Sequence, residues 1–183
     1  MRSPRPQRAC ITLLVVCLIP AAAGSVRRAH ADEQTPPPLP PCSGPEWRQF
    51  DFWLGDWEAT WDKGRGVNRV TSILGRCAIL EEFDATGPGG DGLKGMSLST
   101  YDPHRRVWRQ TWVDNSGAYL DFTGGLEKER MILSCQAERD GKRFLQRMVW
   151  SNIEAGSFDW RWERSNDGGK EWKTLWAIRY RRR

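Results

Sequence analysis

The sequence predicts an all-β fold: a single antiparallel up-and-down β-barrel of about ten strands, with a short N-terminal helix and a signal peptide ahead of it. Three observations predict it. Short runs alternating with period two recur from residue 54 to residue 181, and no long stretch repeats with period 3.6. Clusters of Gly, Asp and Asn punctuate these runs as turns. All 11 tryptophans lie at or beyond Trp47, a density suited to an aromatic-lined interior. Strands joined by short turns form a meander, and ten short strands around one core favour closure, because closure removes exposed edges.

The first element is a targeting pattern. Arg2, Arg5 and Arg8 form a basic n-region, residues 9–24 are uncharged and mostly apolar, and Ala29-His30-Ala31 is the small-x-small pattern read by a signal peptidase. A signal peptide over residues 1–31 is expected, with a cut within Ala21–Gly24 as the alternative. The apolar run is shorter than the ~20 residues that span a bilayer, and Pro20 interrupts it. The mature chain is therefore expected to be periplasmic or secreted, with no stable membrane insertion. A lipid anchor on Cys17 is disfavoured, since the bulky Val16 stands where a small residue is needed. Residues 32–44 read as a Pro-rich linker, and residues 45–183 as one barrel domain.

Removing the leader changes the charge argument. The chain has 28 basic and 23 acidic residues; five arginines and no acid precede residue 32, so the mature part carries 23 of each. The basic isoelectric point belongs to the leader and is no evidence for nucleic acid. The arginines at 179 and 181–183 read as a solubilising last strand.

Cys42, Cys77 and Cys135 persist after cleavage, and three cannot all pair internally. Cys42 at the loose start and Cys77 beside Gly75 are the expected disulfide partners, with Cys135 a buried free thiol in a strand; connectivity is not readable from spacing alone.

The body begins with a helical turn or two over Pro45–Trp53, Pro standing near its start. Ten strands are then expected over residues 54–62, 66–74, 77–84, 95–101, 107–114, 118–123, 130–138, 142–150, 157–164 and 172–181. The glycine-rich tip at residues 87–92 has no following helix or Lys-Ser/Thr, so it is no phosphate loop. It is expected to be a mobile loop at one rim.

Alternation sorts the faces. Trp108, Gln110, Trp112 and Asp114 share one face of their strand; Phe158, Trp160 and Trp162 oppose Asp159, Arg161 and Glu163; Trp172, Thr174, Trp176, Ile178 and Tyr180 share one side. A plain packed core would use Val, Ile and Leu. Tryptophans with a few amides and carboxylates either line a ligand cavity or fill a small barrel.

Several motifs carry a resemblance. The opening Phe50-Asp-Phe-Trp-Leu-Gly-Asp-Trp-Glu58, Gly75-Arg-Cys77 with Glu81-Glu82, Tyr101-Asp-Pro103, Trp108-Arg-Gln-Thr-Trp-Val-Asp114 and Ser165-Asn-Asp-Gly-Gly-Lys-Glu-Trp172 resemble secreted bacterial proteins of domain of unknown function 1579. The resemblance runs from about Cys42 to Tyr180 and implies a calycin-like barrel, related in shape to lipocalins. It implies no reaction, ligand or catalytic residue. Gly55-Asp-Trp57 is also similar to the Gly-x-Trp of the first lipocalin strand, where Trp plugs the closed barrel end.

Ser165-x-Asp167-x-Gly169-x-x-Trp172 fits the Asp-box pattern: Ser and Asp side chains bond backbone groups across a hairpin turn, Gly takes a positive φ, and Trp packs beneath. A propeller would need several copies, and one is present, so its role is structural.

Catalytic constellations are thin. His104 is the single histidine after residue 31 and sits in a turn, so no zinc, copper or haem site and no catalytic triad is expected. No cofactor is expected either. Carboxylates remain as acid–base groups: an interior Asp114 would have a raised pKa or pair with Arg147 or Arg161, while as a turn residue it would be exposed. Glu81 and Glu82 are adjacent, so at most one is interior. The expected function is a non-enzymatic barrel for a small apolar or aromatic molecule, with Trp57, Trp108, Gln110, Trp112, Asp114, Trp150 and Trp162 as ligand-binding residues. The alternatives are a hydrolase or isomerase with Asp114 or Glu82 as base, and a carbohydrate- or protein-interaction module with tryptophans in an exposed row.

Overall fold

The computed structural model describes residues 41–183; the expected signal peptide and most of the linker lie outside the described residues. Ten antiparallel strands run Gly55–Trp61 (β1), Gly64–Ile73 (β2), Ala78–Asp84 (β3), Lys94–Asp102 (β4), Val107–Asp114 (β5), Tyr119–Glu127 (β6), Arg130–Arg139 (β7), Lys142–Glu154 (β8), Ser157–Ser165 (β9) and Lys173–Arg182 (β10). Each pairs with its chain neighbours, and β1 pairs with β10, so the sheet closes into an up-and-down barrel. Closure satisfies the backbone donors and acceptors that an open sheet would leave on its edges.

The first segment forms two 3₁₀ turns, Pro45–Arg48 and Asp51–Trp53. Phe50 between them sits at φ −99°, ψ 4°, which interrupts any longer helix. This segment plugs one end of the barrel. Phe50 packs its ring against Trp53, Trp108 and Trp150 at 5.2, 4.9 and 5.2 Å between centroids. Trp57 donates its indole N–H to the Trp53 carbonyl at 2.8 Å, and Trp108 donates to Gln49 Oε1 at 3.1 Å. The plug is stapled from outside: a disulfide joins Cys42 to Cys77, and Arg48 donates to the carbonyls of Cys42 and Arg76.

Three strands differ from the expected runs for identifiable reasons. β6 continues through Gly124, where an added Cβ would strike the Ile132 carbonyl. Glycine is there for close approach of two strands, not for a turn. β8 runs on past Trp150 to Glu154, with its register to β9 shifting between Ser151 and Glu154 around Asn152 at φ 50°. In β10 a shift between Thr174 and Trp176 breaks the alternation. Trp172 thus precedes the strand and does not share the inner side with Trp176; it packs instead beneath Arg147, 3.9 Å from guanidinium carbon to ring centroid.

The opposite end of the barrel carries the connections β1–β2, β3–β4, β5–β6, β7–β8 and β9–β10. The glycine-rich β3–β4 tip, expected to be mobile, is tied by backbone bonds from Ala85 to Leu93, Gly92 to Ala85, Gly90 to Gly87 and Arg65 to Gly89. The β9–β10 connection is held as an Asp box: Ser165 Oγ accepts from the Gly169 N–H at 2.8 Å, and Asp167 accepts from the N–H groups of Lys170 and Glu171 at 3.0 Å each. Cys135 is a free, half-buried thiol rather than a fully buried one, and burial with nearby Asp121 pushes its pKa up to about 11.

Candidate functional site

Because side chains alternate along each strand, the inward positions of ten strands meet along the barrel axis. Near the plug these positions hold buried aromatics, among them Trp57, Trp108, Phe122 and Phe158. Above it they leave a cavity of about 290 Å³, walled by Phe83, Trp112, Trp150, Trp160, Trp162 and Trp176, with Leu93, Leu120, Met148, Leu175 and Ile178 completing the apolar surface. Register explains the grouping. Met148, Trp162 and Trp176 are cross-strand partners in one row, and Trp150, Trp160 and Ile178 in the next. Edge-to-face contacts hold the rings apart rather than stacked, as between Trp160 and Trp176 at 5.6 Å and 89°. A β4 glycine sets the position of Trp112: a side chain at Gly95 would collide with its indole.

The cavity widens into an opening at the end away from the plug, lined by Trp61, Asp62, Lys63, Asp91, Asn115 and Ser116 among others, and sharing Leu93, Leu175 and Trp176 with the interior.

Two ionisable groups, Glu81 and Tyr180, are buried side by side on the inner wall. Glu81 of β3 faces inward, 7% exposed. Its Oε1 accepts from Asn68 Nδ2 at 2.8 Å and its Oε2 accepts from Ser97 Oγ at 2.6 Å. Burial raises its pKa to about 7, and the bonds from Ser97 and Asn68 pull the other way without cancelling it. The Tyr180 phenol of β10 stands beside this carboxyl and Asn68; burial first, then the Glu81 charge, raise its pKa well above the ordinary value. Asn68 is 1% exposed, and its Oδ1 has no hydrogen bond of good geometry. Both partners of Glu81 are neutral, so ionising it inside the barrel is costly.

The expected ligand-binding residues divide. Trp112, Asp114, Trp150 and Trp162 line the cavity. Trp57 and Trp108 do not: both are consumed by the plug, where their indole N–H groups are bonded to Trp53 and Gln49. Gln110 is inward but buried below the cavity, donating to Ser99 Oγ at 2.8 Å. Asp114 sits at the rim as the cap of the β5–β6 turn. Partial burial pushes its carboxyl up, but bonds from Ser116 Oγ, Trp112 Nε1 and the N–H groups of Ser116 and Ala118 outweigh this and hold its pKa below the ordinary value. Arg147 and Arg161, its expected cationic partners, point outward and pair with Glu163 at 2.6 and 3.0 Å. Glu82 faces solvent, so it is not an interior base.

Glu81, Asn68, Ser97 and Tyr180 were missed as a group, as were Trp160 and Trp176 as wall residues. The signal was present: Ile79-Leu-Glu81-Glu-Phe83 puts Glu81 between two apolar residues on one face, and period two makes that face the interior. What linear reading does not supply is the pairing of β3 with both β2 and β4, which brings Asn68 and Ser97 to opposite sides of the same carboxyl.

Among the described residues no group of three or more His, Cys, Asp and Glu side chains is arranged to hold a metal ion. No curated protein matches the chain. Residues 46–182 match the family model described as "Protein of unknown function (DUF1579)", a span that takes in the plug from Glu46 onward and all ten strands. The chain belongs to that family, with the closed ten-stranded barrel as its architecture.

Proposed function

We propose that this protein is a small-molecule-binding barrel that takes an apolar or aromatic ligand into its interior without catalysis. The observation that carries the reading is the 290 Å³ cavity among five tryptophans, opening at the unplugged end. Its volume lies near the lower limit for small-ligand sites, and its walls are rigid aromatic faces with few polar groups, as such sites require. A barrel built only for stability would fill this space, because voids forfeit packing energy.

The acid–base alternative has Glu81 as its interior candidate, since a carboxyl titrating near 7 suits proton transfer. No His, Lys or Arg lines the cavity with it, and no nucleophile is paired with a base there. The interaction-module alternative needs tryptophans in an exposed row, whereas the cavity tryptophans line the barrel interior, four of them on the neighbouring strands β8–β10 and Trp112 on β5. The same reading assigns the mature chain to the periplasm or the exterior. The Cys42–Cys77 bridge supports this, because disulfides persist in oxidising compartments.

The test is titration of intrinsic tryptophan fluorescence with neutral aromatics, lipids and cell-envelope extract. Saturable quenching or a blue shift is expected for at least one compound class. A flat response to all of them overturns the proposal.

A further inference from the structure

The cavity is not electrically neutral in its design. Its two ionisable wall residues besides Tyr180 are acids, Glu81 and Asp114, and no Lys, Arg or His lines it. At the opening, Asp62 and Asp91 outnumber Lys63. Trp112, Trp150, Trp160, Trp162 and Trp176 line the same cavity, and the face of an indole is the negative side of its quadrupole, which attracts cations. Two arginines of β8 and β9, Arg147 and Arg161, are paired with Glu163 on the outward face of the sheet.

We infer that the cavity takes an organic cation, a protonated amine on an apolar body, with its ammonium held by Glu81 and its body laid against the tryptophan faces. This rests on the small-molecule reading above and names the ligand class for that site. Glu81 is the anchor because its environment is incomplete. Each of its oxygens accepts one bond, from Asn68 or Ser97, which leaves acceptor capacity on both. The groups facing it are Asn68 from β2, Ser97 from β4 and the Tyr180 phenol from β10, all uncharged. A buried carboxylate without a cation is the costly arrangement, and an ammonium ion supplies what is missing. Asp114, in contrast, already accepts from Trp112, Ser116 and Ala118 and needs no ligand. An anionic ligand would meet two carboxyls and no positive charge, and a neutral hydrocarbon would leave Glu81 as it stands.

The proton balance follows. Where Glu81 is protonated, binding of an ammonium ion ionises it, and that proton passes to the buffer; no bond other than O–H is broken.

The experiment is isothermal titration calorimetry of the intact protein with three probes of one shape: 2-phenylethylamine, n-propylbenzene and 3-phenylpropionate. At about pH 8 the amine is expected to bind roughly tenfold more tightly than propylbenzene, the scale of a desolvated cation–aromatic contact. The advantage shrinks at about pH 5.5, where Glu81 is neutral. E81Q is expected to remove the advantage, read as the ratio of amine to propylbenzene affinity within the same variant. Near pH 7, titrations in two buffers of different ionisation enthalpy should report proton release on amine binding by the unaltered protein, a readout that stands even where E81Q does not fold. Equal affinity for amine and propylbenzene, preference for the carboxylate, retention of the amine advantage in E81Q, or absence of proton release each overturns the cation assignment while leaving an apolar site in place. Failure of all three probes to bind overturns both readings.

Discussion

The Arg182 guanidinium lies over the Trp57 indole, 4.3 Å from its carbon to the ring centroid, and joins the last strand to the first. Its Nη1 donates to the Leu54 carbonyl at 3.0 Å and its Nε to the Ala155 carbonyl at 3.1 Å. Gly55 leaves room for this side chain, with φ at +136°, and a Cβ there would collide with the guanidinium. One residue thus covers the plug, the start of β1 and the β8–β9 connection.

Replacing Arg182 with Met keeps the hydrocarbon stem and removes the charge and both bonds. A loss of about 1–2 kcal/mol is expected, since the group is exposed and its contacts are partly replaced by water. Thermal melting should fall by several degrees. Gly55→Ala should cost at least as much, because it adds backbone strain to the same displacement. An unchanged melting temperature for both variants would refute the role of this contact in closing the barrel.

Glu81 makes stability depend on pH in an unusual sense. Its folded pKa of about 7 lies above the unfolded value of 4.5, so the folded state holds the extra proton between those values. Its contribution is fully present below about pH 4.5 and is lost as pH rises through 7, by at most roughly 3 kcal/mol. Asp159 and Glu163 behave oppositely: burial raises each, but arginine partners outweigh it and hold both below the ordinary value, so their contribution is lost in acid. Stability should therefore peak in weak acid, near pH 5, and decline toward pH 8. Urea unfolding across this range should show the decline in the wild type and a flat profile in Glu81→Gln. The same slope in both would disprove the assignment.

The Cys42–Cys77 bridge closes a loop with a sequence separation of 35. Chain-entropy arguments give about 3–4 kcal/mol for a loop of this length. Because the bridge ties the plug to the β2–β3 connection, reduction or a C42S/C77S double variant should loosen the plug before the strands. Chemical denaturation should move to lower denaturant, and proteolysis should begin between residues 41 and 53. Cleavage elsewhere first would show that the bridge supports another region.

Leu120 lines the cavity and is only half-buried. Leu120→Trp adds ring volume where there is empty space, so melting should change by less than about 1 kcal/mol equivalent. Binding of any apolar probe should fall sharply, read by calorimetry. Undiminished binding would mean that the probe sits outside this cavity.

The strand pattern was legible because alternation is a local property. Residues two apart share a face whatever the rest of the chain does, so the inner rows of β5 and β9 could be read directly, and β5 has the bounds the pattern predicts. The Asp box was equally legible, since its bonds join residues within one turn. Legibility failed where a second element decided the outcome. The expected strand stops at residue 123, short of Gly124, until β7 is known to press against that glycine, and Trp172 reads as an inner residue until a register shift turns it outward.

The division is sharpest for the site. Local composition and period two pointed to a closed aromatic barrel and to the inward face of strands such as β5 and β9. Whether an inward tryptophan becomes floor or wall was decided only by closure, which set the 3₁₀ plug beneath Trp57 and Trp108 and left Trp112, Trp150, Trp160, Trp162 and Trp176 around empty space. Closure also enclosed Glu81 among neutral partners drawn from residues 68, 97 and 180. Its raised pKa comes from desolvation, and desolvation depends on every strand that surrounds a group, which no stretch of sequence around residue 81 contains.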